Sequence, residues 1–376
     1  MSRVLMKSDS HKRLVLYVFV SAAMLVIFTC GALAQIQSNG TSQTTPMSWT
    51  VLVGGEAAIE PGEYGPAGAW QFMRFYPENI TINAGDTIVW KLTSSEPHTV
   101  TFPKSGQQIP SLIIPEGNGS SGMLFNPMAI LPQGDPIYNE TELTGSGQMD
   151  VAPNFPKEYN LTFAETGNFE YYCAFHNMMK GRVTVQQAGT PYPKTQEQID
   201  SDASKLKAAD MEAALKIGSK TEMASEEPKS DGTTKYVIKM GYGDGNISWM
   251  RFVPANITIK AGDSIEWIRD DVETPHTVSF LSVGKEPELV LPELQERGPP
   301  KFVLNPVVLK PAGGGTYNGT GYFNSGFIWG SMVPMTGPGN YTLSFDKPGI
   351  YDYICILHDY MGMKGRITVL KPGERA

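Results

Sequence analysis

At 376 residues the chain is too long for one small core and suits about two or three domains. Its 39 Gly and 28 Pro imply many turns, and no long amphipathic helical pattern dominates, which favours all-β sandwiches or barrels. A formal net charge of −8 argues against nucleic acid as a partner.

Arg3, Lys7, Lys12 and Arg13 form a basic start, and residues 14–34 then run 21 residues without a charge, closing on Ala32-Leu33-Ala34 before Gln35. This pattern reads as a secretory signal over 1–34 with a small-residue cleavage site, and a retained N-terminal membrane anchor is the alternative because the run is long enough to span a bilayer. Removing its four bases and one acid leaves a charge of about −11 on an exported, extracytoplasmic chain, either secreted or anchored at the outer face of the membrane. Nine Asn-x-Ser/Thr sequons, at Asn39, Asn79, Asn118, Asn139, Asn160, Asn246, Asn256, Asn318 and Asn340, are compatible with an exported surface.

The next feature in chain order is a segment that recurs. Arg74-Phe75-Tyr76-Pro77-Glu78-Asn79-Ile80-Thr81-Ile82-Asn83-Ala84-Gly85-Asp86 is answered 177 residues later by Arg251-Phe252-Val253-Pro254-Ala255-Asn256-Ile257-Thr258-Ile259-Lys260-Ala261-Gly262-Asp263. Trp90 and Trp267 keep that register, and Pro97-His98-Thr99-Val100 matches Pro275-His276-Thr277-Val278. Asn126-Pro127, Tyr138-Asn139 and the Cys173 segment recur at Asn305-Pro306, Tyr317-Asn318 and the Cys355 segment. The chain is therefore a duplication, with copies over 48–188 and 235–372.

Within each copy, alternating residues predict strands. Asn79–Ile82 and Thr87–Leu92 flank Asn83-Ala84-Gly85-Asp86 and read as a hairpin, as do their counterparts around Ala261-Gly262-Asp263. Tyr159–Phe163 and Asn168–Cys173, split by Glu165-Thr166-Gly167, read as a second pair, and Arg182–Gln186 and Arg366–Leu370 as closing strands. Short strands at regular spacing predict a Greek-key sandwich in each copy. Residues 189–234 read as a linker with one short helix, opened by a Thr195-x-x-Gln198 capping box and ending near Ile217, docked across the two copies. Residues 103–150 and 281–335, rich in Gly, Pro and Asn, read as long loops with some strand.

Beyond residue 34 the histidines are His98, His176, His276 and His358, and the cysteines are Cys173 and Cys355. A disulfide between the two cysteines is the plain reading of the count. Their contexts oppose it: each copy holds one early His, then Cys-x-x-His just before its last strand, then Met179 or Met363 immediately before Lys-Gly-Arg. Any one of these residues alone would be ordinary core packing. Together they form two equivalent sets of two imidazoles, a thiolate and a thioether, the donor set that suits blue copper better than zinc, for which thioether is a poor ligand.

Both copies resemble cupredoxins, especially plastocyanin, amicyanin and halocyanin-type proteins, in the Pro-His-Thr-Val, Tyr-x-Cys-x-x-His and Met-Lys-Gly-Arg segments. The fold class implied is all-β, two Greek-key cupredoxin β-sandwiches joined by a partly helical linker. The resemblance assigns His98, Cys173, His176 and Met179 to one type 1 copper, and His276, Cys355, His358 and Met363 to another. Cys173-x₂-His176-x₂-Met179 has amicyanin-like spacing and Cys355-x₂-His358-x₄-Met363 plastocyanin-like spacing. Met178 and Met361 compete for the axial positions, and Thr99 and Thr277 stand where small cupredoxins often have Asn. The resemblance implies an electron carrier, not an enzyme. Redox protein partners would dock near His176 and His358, with Phe175, Met178, Leu357 and Tyr360 as patch residues. Multicopper oxidases and copper nitrite reductases, the rival built from the same domains, need further histidines, and all four beyond residue 34 are already placed. Copper storage or a purely structural role is the other rival, and two complete enclosed ligand sets fit it poorly.

Overall fold

The computed structural model describes residues 45–57, 70–117, 122–218, 224–270, 274–281, 284–329, 339–371 and 374. The 1–34 segment and the sequons at Asn39 and Asn118 lie outside the described residues. Among the described residues no helix is long and apolar enough to cross a membrane.

Each copy is a two-layer β-sandwich. In the first, one layer orders Trp70–Tyr76, Ser48–Ala57, Thr87–Leu92, Glu158–Phe163 and Ile137–Tyr138, and the other orders Asn79–Asn83, Lys180–Gln186, Gly167–Tyr172, Thr101–Phe102 and Thr144–Gly145. The second copy repeats both layers, with Ile247–Val253, Thr234–Asp244, Ser264–Arg269 and Asn340–Phe345 in one and Asn256–Lys260, Lys364–Leu370, Gly349–Ile354, Ser279–Phe280 and Phe323–Asn324 in the other. Alternation of inward and outward side chains supplies the core: Trp90 packs on Phe102, Phe163 and Tyr171, and Trp267 on Phe280, Phe345 and Tyr353 in the matching places. Each such fully buried ring contributes on the order of 1.5–3 kcal/mol.

The expected hairpins are instead arches between layers. Asn79–Asn83 pairs in parallel with Lys180–Gln186, whereas Thr87–Leu92 joins the opposite layer and pairs in parallel with Ser48–Ala57. Glu158–Phe163 and Gly167–Tyr172 are split between layers in the same way, as are the counterparts of both pairs in the second copy. Alternation marks one buried face per strand, and two strands on opposite sides of one core satisfy it as well as two neighbours in one sheet. Asp86 holds the first arch: its carboxylate accepts from Met47 N (2.7 Å), Trp49 Nε1 (2.9 Å) and Asn83 N (2.9 Å), while Gly85 takes φ +97°.

The copies share backbone. Trp70–Tyr76 pairs antiparallel with Ile247–Val253 in the register Phe72–Ile247, Gln71–Ser248 and Trp70–Trp249, merging the two Trp49 and Trp267 layers into one 11-stranded sheet. Gln71 faces its own counterpart Ser248, and Trp70 and Phe72 face each other's counterparts, so the join is isologous about a pseudo-two-fold axis. The long loops do the same. Their strands Ile113–Pro115, Met123–Phe125, Lys301–Leu304 and Val290–Glu293 form a four-stranded sheet in which Leu124 faces Val303. The recurring Asn-Pro in these loops caps a single helical turn: Asn126 Oδ1 accepts from Met128 N, and Asn305 Oδ1 from Val307 N, both at 3.0 Å, with Pro at the first helical position.

The linker helix spans Gln196–Gly218, 23 residues, from the expected capping box to one residue past Ile217. The Thr195–Gln198 capping box forms, with Thr195 N donating to Gln198 Oε1 at 2.9 Å and Gln198 N to Thr195 Oγ1 at 3.4 Å. Ala203, Leu206, Met211 and Ala214 pack on Trp70, Phe72 and Tyr76 of the first copy and Ile247 and Trp249 of the second, where Trp70 and Trp249 stack at 5.0 Å. Asp210 anchors it from the polar side, accepting from Tyr76 Oη (2.5 Å) and Arg74 Nε (3.0 Å).

Candidate metal centres

Backbone pairing fixes each early histidine. His98 exchanges both amide bonds with Met149 (3.1 and 2.8 Å), and His276 does so with Ile328 (3.1 and 2.9 Å), so each long loop returns to hold the site. The late Cys and His come from the loop before the closing strand. That loop is pinned at the same point in both copies: Cys173 N donates to Met179 O at 2.9 Å and Cys355 N to Met363 O at 3.0 Å. Met179 and Met363 are therefore structural equivalents, and the two extra residues of the second loop are absorbed by the 3-10 turn Asp359–Met361, with Gly362 at φ 85°.

These elements bring the predicted residues together. His98 Nδ1 and His176 Nδ1 lie 3.1 Å apart and 3.6 and 3.5 Å from Cys173 Sγ. His276 Nδ1 and His358 Nδ1 lie 3.2 Å apart and 3.9 and 3.5 Å from Cys355 Sγ. All six residues are buried, and both thiols are free, which excludes a bond between them. Met179 and Met363 are fully buried, each in the same apolar cluster as its own cysteine. Met178 is 39% exposed, and Met361, although buried, packs in the first copy's cluster.

Thr99 and Thr277 bridge each early-His strand to its Cys loop through their hydroxyls. Thr99 Oγ1 accepts from Ala174 N at 2.7 Å and Thr277 Oγ1 from Ile356 N at 2.9 Å, tying the early-His strand to the Cys loop. The amides of the same threonines donate to Cys173 Sγ and Cys355 Sγ, each at 3.3 Å, which favours thiolate.

The donor sets fit a metal ion. Two imidazole nitrogens at 3.1–3.2 Å cannot both carry a proton toward each other, and an ion about 2.0–2.1 Å from each would satisfy both lone pairs. Burial alone would push the Cys355 thiol up, yet the facing His358 and His276 bring it down to about 5, and Cys173 is likewise held well below the usual thiol range by His176 and His98. Burial opposes charge on His176 and His358 as well, but the thiolates and the Glu96 carboxylate raise both to about 10. Each site is thus an ion pair when metal-free and a ready set of deprotonated donors for a cation.

The second His of each site, near which a partner is expected to dock, is buried: His176 is 1% and His358 3% exposed. Their Nε2 edges face each other across Glu96, whose Oε1 lies 3.6 Å from His176 Nε2 and 3.7 Å from His358 Nε2. Tyr360 turns inward too, its hydroxyl 3.3 Å from Ser95 O. Of the expected patch, only Met178 is exposed; Phe175, Leu357 and Tyr360 are partly covered. Sequence reasoning missed Glu96. The available signal was an asymmetry: Thr274 occupies the equivalent position before Pro-His in the second copy.

Residues 66–186 match the family described as copper binding proteins, plastocyanin/azurin family. Over that stretch the chain is similar to the cupredoxins. The chain is 25% identical over 114 residues to amicyanin of Paracoccus versutus, covering 30% of this chain and 59% of that protein. It is 28% identical over 133 residues to plastocyanin of Scenedesmus fuscus, covering 35% of this chain and 96% of that one. The crystal structure of Paracoccus versutus amicyanin aligns at 21% identity over 37% of this chain and 81% of its own, with a TM-score of 0.21. The cupredoxin family binds copper, and the two His-Cys-His groups are where this chain could hold it.

Proposed function

We propose that the chain is an exported electron-transfer protein with two type 1 copper sites: His98, Cys173, His176 and Met179 in one, and His276, Cys355, His358 and Met363 in the other. The observation that carries this reading is the pair of buried His₂Cys triads with converging Nδ1 atoms, each beside a buried methionine of its own cluster. The bound ion would supply a one-electron couple. The protein's part is to hold the donors still: the His98–Met149 and His276–Ile328 pairings fix the early histidines' backbone, and the threonine bridges and amide bonds to sulfur fix the Cys loop and its thiolates. Donors held in one geometry need little reorganisation when the charge changes.

No further chemistry is assigned to the chain. All four histidines beyond residue 34 lie in the two triads, which leaves none for the type 2 or trinuclear centres of the enzyme rivals. The basic start and apolar run before Gln35 support export, with secretion or anchoring at the outer membrane face as the outcome. A redox protein partner then docks beside the exposed Met178 rather than on the buried imidazoles.

Copper loading of Cys173→Ser and Cys355→Ser tests the reading. Each variant retains one copper and about half the thiolate-to-copper absorbance of the parent. Loss of all colour in either variant, or full colour in one, overturns two independent sites.

A further inference from the structure

Glu96 is 5% exposed, and its ion-pair partners are the two histidines His176 and His358. A buried carboxylate is costly, commonly several kcal/mol, unless something nearby holds it. Here both imidazoles offer it the same edge. In each triad Nδ1 faces the thiolate, so Nε2 is the nitrogen left to carry hydrogen, and both Nε2 atoms converge on Oε1. The other carboxylate oxygen, Oε2, is 3.5 Å from the Tyr360 hydroxyl, which comes from the second copy's Cys-loop side. Glu96 belongs to the first copy and has Thr274 as its counterpart, so one carboxylate serves two symmetry-related sites. The shared sheets hold this geometry, because the isologous pairings at Gln71–Ser248 and Leu124–Val303 fix the two copies about the same pseudo-axis.

We propose that Glu96 is a positioning residue that joins the two sites into one coupled redox pair, holding both loop imidazoles through Nε2–H and setting both potentials together; the redox part rests on the copper reading above. One negative charge close to both sites favours the oxidised, more positive state of each. The connection His176–Glu96–His358 also links the two sites through three side chains, with no solvent-facing imidazole between them. One-electron exchange along it balances with one site oxidised and the other reduced, and every bond and proton stays in place.

The test uses Glu96→Gln, which keeps shape and removes charge, with Glu96→Asp as the conservative control, both in the full chain. In the metal-free proteins, imidazole NMR reports the contact directly. Glu96→Gln is expected to move the ring resonances of both His176 and His358 and to leave His98 and His276 near their parent positions. Movement of one ring alone, or of neither, overturns the bridge. In the copper-loaded proteins, spectroelectrochemistry on the parent and on each single-cysteine variant is expected to show both midpoints rising in Glu96→Gln. A tenfold change in each equilibrium constant would read as about 59 mV per one-electron site. Glu96→Asp is expected to restore most of that shift. Unchanged midpoints, or a shift at one site only, overturn the coupling. A chain that binds no copper overturns the copper reading and the redox role together, while the NMR result still decides whether Glu96 holds both rings.

Discussion

Replacing Thr99 by Val removes one hydroxyl at almost constant shape. That hydroxyl accepts from Ala174 N at 2.7 Å and shares a hydrogen bond with Thr101 Oγ1 at 2.8 Å, and Thr99 is fully buried. The variant leaves the Ala174 amide and the Thr101 hydroxyl without these partners. Each buried group so orphaned costs about 1–3 kcal/mol, so the expected loss is about 2–6 kcal/mol. At about 2–4 °C per kcal/mol for a domain of this size class, the first copy should melt roughly 4–24 °C lower. Calorimetry on the metal-free protein reads this shift, and Thr99→Ser, which keeps the oxygen, should recover most of it. Because Ala174 follows Cys173, the copper-loaded variant should also show a shifted or broadened thiolate band from the first site, with the second unchanged. Thr277→Val should mirror this at Cys355 through the Ile356 amide. A Thr99→Val protein that melts within 1 °C of the parent, by the scale above about 0.5 kcal/mol, refutes the strand-bridging role.

Gly181→Ala would set a Cβ 2.3 Å from Tyr171 Cζ, and Gly365→Ala one 2.2 Å from Tyr353 Cζ; both rings are locked in the core, so each variant should lose about 1–3 kcal/mol or more in a denaturant titration. Asp210→Ala leaves the Tyr76 hydroxyl and Arg74 Nε without their acceptor, at about 1–3 kcal/mol for each buried group, and faster amide exchange across Gln196–Gly218 should report the loosened helix. In the metal-free protein Cys355 is depressed from 9.0 to about 5 while its partner His358 is raised from 6.5 to about 10, so the folded pair binds fewer protons than the unfolded one between about 5 and 6.5 and the same number from there to 9.0. The pair's contribution to stability therefore rises with pH from about 5 to 6.5 and is lost as pH falls toward 5; stability curves of parent and Cys355→Ala should differ in that limb. Parallel curves would contradict the thiolate assignment.

Much of this architecture was legible because duplication lets each copy check the other. His98 and His276 mean little singly, yet with the Cys-x-x-His pairs just before the same closing strand they define two sites, and the structure brings their atoms together. The two spacings to Met179 and Met363 differ in sequence, but both precede Lys-Gly-Arg, and the shared Cys N to Met O bond puts the two residues at equivalent backbone positions. Strand pairing was less legible. The turns around Gly85 and Gly167 carry ordinary hairpin chemistry, and alternation does not distinguish a neighbour from a strand across the core. Contacts between copies were invisible for another reason. Gln71–Ser248 and Leu124–Val303 lie in segments with no local sign of pairing, and Glu96 acquires its role only when both His176 and His358 are turned inward by that pairing.

Quantitative electron paramagnetic resonance on the oxidised protein, with total copper measured per chain, tests the central reading most directly. Two coppers per chain, both with the narrow hyperfine splitting of thiolate-bound sites, are predicted. A further copper with a type 2 or coupled signal, or a single blue copper, would contradict it.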